Sequence, residues 1–161
     1  MKARLAELTD LISILNIYNQ GIEDRIATLE TEVKNMEYIN NWFKNREEKY
    51  VVLVLEKNEQ ILGWASINPY NNRCVYNGVG EIAIYIERAY RGKGIGKILL
   101  TELELKAKQF DFYKLLLFTF PFNKLGQSLY SKMGYREVGI FKKQGLLDGK
   151  FVDVKAMEKL L

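Results

Sequence analysis

The stretch VGEIAIYIERAYRGKGIGKILL, residues 79–100, constrains this chain more than any other. It begins with the β-branched and aromatic run Ile82-Ala83-Ile84-Tyr85-Ile86, which favours a largely buried strand. Gly92, Gly94 and Gly96 then alternate with Arg91, Lys93 and Lys97, and an amphipathic helix follows. Glycines let the backbone approach a ligand closely and adopt positive φ. The unpaired N–H groups at the start of a helix point into such a loop, and the helix dipole adds positive potential there. Strand, loop and helix in this order predict an anion site suited to a pyrophosphate. The bland alternative is a Gly-Lys hairpin turn with no ligand, and the flanking strand and helix count against it.

Spacing separates the families that write such loops. A nucleotide P-loop needs G-x-x-x-x-G-K-[ST], but Arg91 stands at its first glycine and Ile98 follows Lys97, with no hydroxyl for magnesium. A dinucleotide fingerprint G-x-G-x-x-G puts its third glycine at Lys97, and no first βαβ unit precedes it. The pattern that fits is R-x-x-G-x-G at Arg91, Gly94 and Gly96. It resembles the pyrophosphate loop of the GNAT superfamily of acyl-CoA-dependent N-acetyltransferases.

The bulk properties agree with a cytosolic enzyme. At 161 residues and 48% hydrophobic content, one compact domain spanning 1–161 is expected. No apolar run reaches transmembrane length, and MKARLAELTD lacks the apolar core of a signal peptide, so no membrane association is expected. Cys74 is the single cysteine, which rules out an intrachain disulfide and makes the cytoplasm the default compartment. With no histidine there is no Ser-His-Asp or Cys-His apparatus, and no metal is expected. Residues 1–86 carry a net charge of −3 and residues 87–161 a net +7. A basic second half suits a phosphate-rich cofactor. Nucleic acid is the rival explanation for a pI near 9.0, but no Lys/Arg cluster interleaved with aromatics supports it.

Along the chain, residues 3–6 read as a short strand. Thr9 or Asp10 can cap a helix carrying Leu11, Ile14, Leu15, Ile17 and Tyr18 at helical spacing. Residues 18–32 are too polar and irregular for one continuous helix and read as a helix end and loop. A second helix spans about 34–46, with Met36, Ile39, Trp42 and Phe43 on one face. Strands follow at 50–55 and 61–68, joined by a turn at Lys57-Asn58-Glu59-Gln60. After the central strand, loop and helix come a strand at 115–120 and a helix from Asn123 to Met133 closed by Gly134. A final hairpin, 135–143 and 150–159, turns at Asp148-Gly149. The order β-α-α-β-β-β-α-β-α-β-β is that of the GNAT fold, so the resemblance covers essentially the whole chain. It implies an α/β (α+β) fold: a mixed, mostly antiparallel, twisted central sheet flanked by helices.

Three separated motifs narrow it. IYNQGIEDRIATLETE, GEIAIYI and GIFKKQGLLDGKFVDVKAMEK resemble the phosphinothricin and methionine sulfoximine acetyltransferase group. That resemblance implies an acetyl-CoA-dependent enzyme acetylating the α-amino group of a small amino acid or toxic analogue by direct attack, and a homodimer. It also implies site residues. The loop at Arg91, Gly92, Lys93, Gly94, Ile95, Gly96, Lys97 and Ile98 would hold the pyrophosphate through the N–H groups of residues 93–98. The strand edge at Tyr85, Ile86 and Glu87 would pair with the pantetheine, and Asn123 would hydrogen-bond that arm. Glu81, at the start of the strand, is the expected base. Tyr130, in an N-x-x-x-x-x-x-Y-x-x-x-G-[FY] pattern with Asn123, Gly134 and Tyr135, is the expected acid; a core aromatic is its alternative. Arg73 with Tyr76 nearby, then Arg25 and Thr28, are the candidates for holding a substrate carboxylate. Trp42, Phe43 and Trp64 read as core, and Cys74 as inert. Other amine acceptors (a peptide N-terminus, a polyamine, an aminoglycoside) and a non-catalytic acyl-CoA-binding module are the rivals.

Overall fold

Strands that are apolar on both faces need cover on both sides, and this chain supplies it with helices of matching amphipathicity. The structure, a computed structural model, describes residues 1–161. Its elements are β1 (Lys2–Leu5), α1 (Leu11–Glu23), α2 (Met36–Lys44), β2 (Val52–Lys57), β3 (Gln60–Pro69), β4 (Val79–Ile86), α3 (Ile95–Gln109), β5 (Lys114–Thr119), α4 (Lys124–Lys132), β6 (Arg136–Leu147) and β7 (Lys150–Leu160). They follow the order read from the sequence. The seven strands form one sheet in the order β1-β2-β3-β4-β5-β7-β6, antiparallel throughout except where β4 runs parallel to β5.

In β2, Val52 and Val54 pack on α1 and α2, while Leu53 and Leu55 pack on α3. Period-two alternation in a fully buried strand therefore divides the core into two layers. Leu99, Leu100, Leu103 and Ala107 of α3 fill one layer; Leu11, Ile14, Leu15 and Ile17 of α1 with Ile39 of α2 fill the other.

Local signals account for the boundaries. Asn58 and Glu59 (φ 50° and 63°) make the two-residue β2–β3 turn, and Asp148 and Gly149 (φ 50° and 78°) the β6–β7 turn. Gly134 takes φ 91° behind α4, where Tyr135 N–H bonds the Tyr130 carbonyl and Gly134 N–H the Ser131 carbonyl, a Schellman stop. Among the details that differ from the sequence-based expectation, two concern helix starts, while β6 runs on to Leu147 and β2 is shifted to Val52–Lys57. Asp10 stands at the start of α1, but its carboxylate accepts from Arg4 (2.7 and 3.0 Å) and from Glu7 N–H (2.8 Å) rather than capping the helix. Helix α2 begins later than expected because Asn35 caps it, accepting from Tyr38 N–H at 3.0 Å, which leaves Met36 37% exposed.

Candidate active site

Strands β4 and β5 pair only at Val79–Glu81 with Lys114–Leu116. Beyond that point each follows its other neighbour, β4 with β3 as far as Ile86 and β5 with β7 as far as Thr119, and the sheet opens. Glu87 N–H bonds the Leu62 carbonyl at 2.9 Å, which fixes the parity of the β3–β4 ladder. Tyr85 and Ala83 therefore direct their N–H groups to β3, and Ile84 and Ile86 direct theirs into the opening. A buried strand edge without a partner is a template for an extended ligand.

A cleft of about 380 Å³ runs from this edge to the start of α3. Tyr85, Ile86, Arg91, Gly92, Gly94, Ile95, Gly96, Lys97 and Asn123 line it, as expected of them. Gly92 and Gly94 have φ of 75° and 83°, and a Cβ on either would meet no protein atom within 4 Å, so the space beside them is open for a ligand. Helix α3 carries no acidic residue in its first turn, and Lys97 and Lys132 at the cleft are not ion-paired. Free amides, open glycines and unpaired cations fit a pyrophosphate. Arg91 serves differently: it donates to Asp24 at 2.6 Å and to the Ile86 carbonyl at 3.3 Å, tying the loop to the end of α1. Asp24 also receives Arg88 at 2.8 and 3.0 Å, and these bonds, Arg88 first, hold its carboxyl below the usual range.

Three expected cofactor residues lie outside the cleft. Ile98 N–H already reaches the Gly94 carbonyl at 3.5 Å and its side chain packs on the core. The Glu87 carboxylate accepts from Ala89 N–H at 2.8 Å and from Gln20 at 3.3 Å. Lys93 sits 5.2 Å from the centre of the Tyr90 ring.

A second pocket of about 220 Å³ lies on the other side of the opening, lined by Glu81, Ala83, Thr28, Phe118, Phe120 and others. It shares Ala27, Ile84, Tyr85, Asn123 and Tyr130 with the cleft, so the two meet at the strand edge. Glu81 is half-buried with no side-chain partner, and burial alone raises its carboxyl pKa. Tyr130 stands edge-on to Tyr135 (5.9 Å between centres), and burial pushes its hydroxyl up to about 12, so it keeps its proton at neutral pH. Asn123 caps α4: its Oδ1 accepts from Gly126 N–H (3.1 Å) and its amide donates to Thr119 (3.3 Å).

Of the carboxylate-binding candidates only Thr28 lines this pocket. Arg73 is exposed in the β3–β4 loop, where its backbone N–H donates to Asn71 Oδ1 at 3.0 Å, and Tyr76 packs edge-on against Tyr70 at 5.4 Å. Arg25 (φ 56°) is consumed by Asp148 at 2.8 Å and by the carbonyls of Ile22 and Thr31. Arg73, Tyr76 and Arg25 therefore lie outside this pocket. Gly21, Ala27 and Ser128 in the cleft and Phe118 and Phe120 in the pocket are not among the site residues expected from the sequence. Gly21 had a signal: an interior helix glycine usually marks a close approach, and a Cβ there would stand 3.0 Å from the Tyr85 ring.

The comparisons with known proteins agree with this geometry. A sequence model of the Acetyltransferase (GNAT) family matches residues 13–135. YwnH of Bacillus subtilis (strain 168), provisionally named a phosphinothricin acetyltransferase, is 36% identical over 162 aligned residues, covering 100% of this chain and 99% of its own. Among solved structures, a GNAT superfamily phosphinothricin acetyltransferase from Sinorhizobium meliloti in complex with acetyl-CoA superposes with a TM-score of 0.93 at 27% identity, over 99% of this chain and 88% of that one. Ribosomal-protein-alanine N-acetyltransferase from Brucella melitensis superposes with a TM-score of 0.96 at 30% identity, over all of both chains.

Proposed function

This chain belongs to the GNAT family of acetyltransferases, and we propose that it carries acetyl from acetyl-CoA to the α-amino group of a small amino acid or a toxic analogue of the phosphinothricin or methionine sulfoximine type. The observation that carries this reading is the junction at Ala27, Ile84, Tyr85, Asn123 and Tyr130, where a glycine-lined cleft meets a pocket holding an unpartnered carboxylate.

The roles follow from position. Loop amides of residues 94–97 and the unpaired lysines receive the pyrophosphate. Ile84 and Ile86 offer their free N–H groups to the pantetheine and to the thioester oxygen, which gains negative charge as the amine attacks. Glu81, directly or through a water, accepts the proton that the amine loses. Its raised pKa makes it a better base than an exposed carboxylate. Tyr130 gives a proton to the departing thiolate. No covalent enzyme intermediate is needed. The chain acts as a single cytoplasmic domain and as a homodimer; exposed Val138, Phe141, Leu146 and Phe151 on the β6–β7 hairpin support the pairing.

A peptide N-terminus is the second reading, favoured by the similarity to the Brucella melitensis enzyme. Thiol release from acetyl-CoA across phosphinothricin, methionine sulfoximine, ordinary amino acids, an alanine-initiated peptide, a polyamine and an aminoglycoside separates the two. Turnover highest on a free amino acid or analogue is expected; turnover confined to the peptide would replace the first reading by the second.

A further inference from the structure

Helix α4 carries Tyr130, yet little apolar packing holds it in place. None of its residues is fully buried, and Leu129 and Tyr130 are the members that pack on the core layer of α3. Helix α3, by contrast, buries Ile95, Leu99, Leu100, Leu103 and Ala107. A helix of nine residues is marginal without tertiary contacts, so polar contacts must do more for α4.

Strand β7 supplies them through two lysines. Lys155 and Lys159 stand opposite Thr119 and Leu115 of β5, four residues apart and therefore on one face of the sheet. Lys155 donates to Gln127 Oε1 at 2.6 Å, in the first turn of α4. Lys159 donates to the Met133 carbonyl at 2.8 Å, just past the last turn, where the helix dipole favours a cation. Tyr130 lies three residues from each of these two points. The side chains of Lys155 and Lys159 are only 15% and 26% exposed, so water competes weakly for either bond. Lys159 is braced in turn by Glu104 of α3 at 2.8 Å. Its ammonium lies 5.8 Å from the ring centre of Tyr135, the ring set edge-on to Tyr130.

An ammonium only donates, so Lys155 decides which end of the Gln127 carboxamide faces it. The Nε2 end is thereby turned to the β5–α4 turn, 3.1 Å from the Phe120 carbonyl, 2.6 Å from that of Pro121 and 3.2 Å from that of Asn123. A flipped amide would set its oxygen against three carbonyl oxygens and its NH2 against the ammonium. Lys155 therefore seats the first turn of α4 on the end of β5, beside Asn123. Neither lysine lines the cleft or the pocket, so any effect on the reaction passes through α4.

We propose that Lys155 and Lys159 are positioning residues, a two-point clamp from β7 that holds α4 where the Tyr130 hydroxyl can meet the leaving sulfur. The proposal rests on the acid role given to Tyr130 above and extends it to residues outside the site. With one end released the hydroxyl drifts, and a misplacement of about 1 Å is enough to cost much of a catalytic group's contribution.

The test is a double-mutant cycle on kcat, run with acetyl-CoA and the best acceptor of the panel. Lys155→Met keeps the aliphatic stem and strands no buried charge, since Gln127 is neutral and Glu137, 3.7 Å away, is half exposed. It should lower kcat about 3- to 5-fold in the wild-type background but less than about 1.5-fold in Tyr130→Phe, because coupled residues are not additive. With an acetyl thioester of a more acidic thiol, which departs without an acid, the Lys155→Met loss should shrink likewise. A merely structural role would slow both backgrounds and both thioesters alike. Lys159→Met combined with Glu104→Gln, which avoids a stranded carboxylate, should behave in the same way. Circular dichroism reports folding, and the second variant decides if Lys155→Met does not fold.

Wild-type kcat in Lys155→Met, or an equal loss with and without the Tyr130 hydroxyl, would overturn the clamp while leaving Tyr130 as the acid. Failure of both variants to fold would assign the lysines to stability and overturn it as well. Wild-type kcat in Tyr130→Phe would instead overturn the acid role, and the clamp with it, while leaving acetyl transfer standing.

Discussion

The cleft assigned to the cofactor and the pocket proposed for the acceptor meet at the same strand edge but are built from different material. On the cofactor side the contacts on offer are backbone groups: two positive-φ glycines, the first amides of α3 and the unpaired edge of β4. In the pocket they are side chains drawn from the α1–α2 loop, β4, β5, α4 and β7. Backbone donors are fixed by the fold and suit a ligand that never changes. Side chains can be exchanged without disturbing the sheet, so specificity is free to vary while the cofactor grip is kept. This difference sets the size and kind of effect that substitutions should have on each side.

The largest effect should come from the backbone side. Gly94→Val places a β-branched residue at φ 83°, a strain of about 1–3 kcal/mol, and puts its Cβ into the open space proposed for the phosphate. Acetyl-CoA affinity, measured by calorimetry, should fall by more than about 100-fold, with the circular dichroism spectrum retained. Undiminished affinity would break the comparison at its firmest point.

Glu81→Gln should leave that affinity nearly intact and lower kcat by about 100-fold, most severely at low pH where the amine is hardest to deprotonate. A pH–rate profile parallel to wild type would remove Glu81 from proton transfer. Stability gives an independent check. Burial raises the Glu81 pKa, so the folded state disfavours its charged form; that penalty is absent below the ordinary value of about 4.3 and complete above the raised one. Glutamine carries no such penalty. The variant should therefore melt higher than wild type at pH 7, and the gap should close near pH 4.

Tyr130→Phe should cost less, about tenfold in kcat, because a thiolate leaves readily. The loss should be smaller with an acetyl thioester of a more acidic thiol. The smallest effect belongs to Asp24→Asn. It releases Arg91 and Arg88 from the end of α1, and a weakening of acetyl-CoA binding by a few-fold, with little change in kcat, is expected of a partly exposed ion-pair network.

The same contrast explains what the sequence disclosed. Alternating glycines between an apolar strand and an amphipathic helix can be read residue by residue, because each glycine answers a local backbone need. Element order, the Gly134 stop and both hairpin turns were legible for the same reason. Side-chain destinations in loops were not. Arg73 ranks first and Arg25 second as carboxylate partners in the sequence, yet one ends in solvent and the other on Asp148, 123 positions away. Glu87 adjoins the correct strand edge, but a local bond to Ala89 N–H occupies it. Trp64 reads as core and is core. Only the folded surroundings reveal that its N–H has no partner.

The central claim is that the amine attacks the thioester directly where cleft and pocket join. Initial rates of thiol release, measured while acetyl-CoA and the best amino acid from the acceptor panel are varied together, test it most directly. Intersecting double-reciprocal lines are predicted, since both substrates must occupy the opening at once. Parallel lines, accompanied by isolation of an acetylated enzyme, would contradict it.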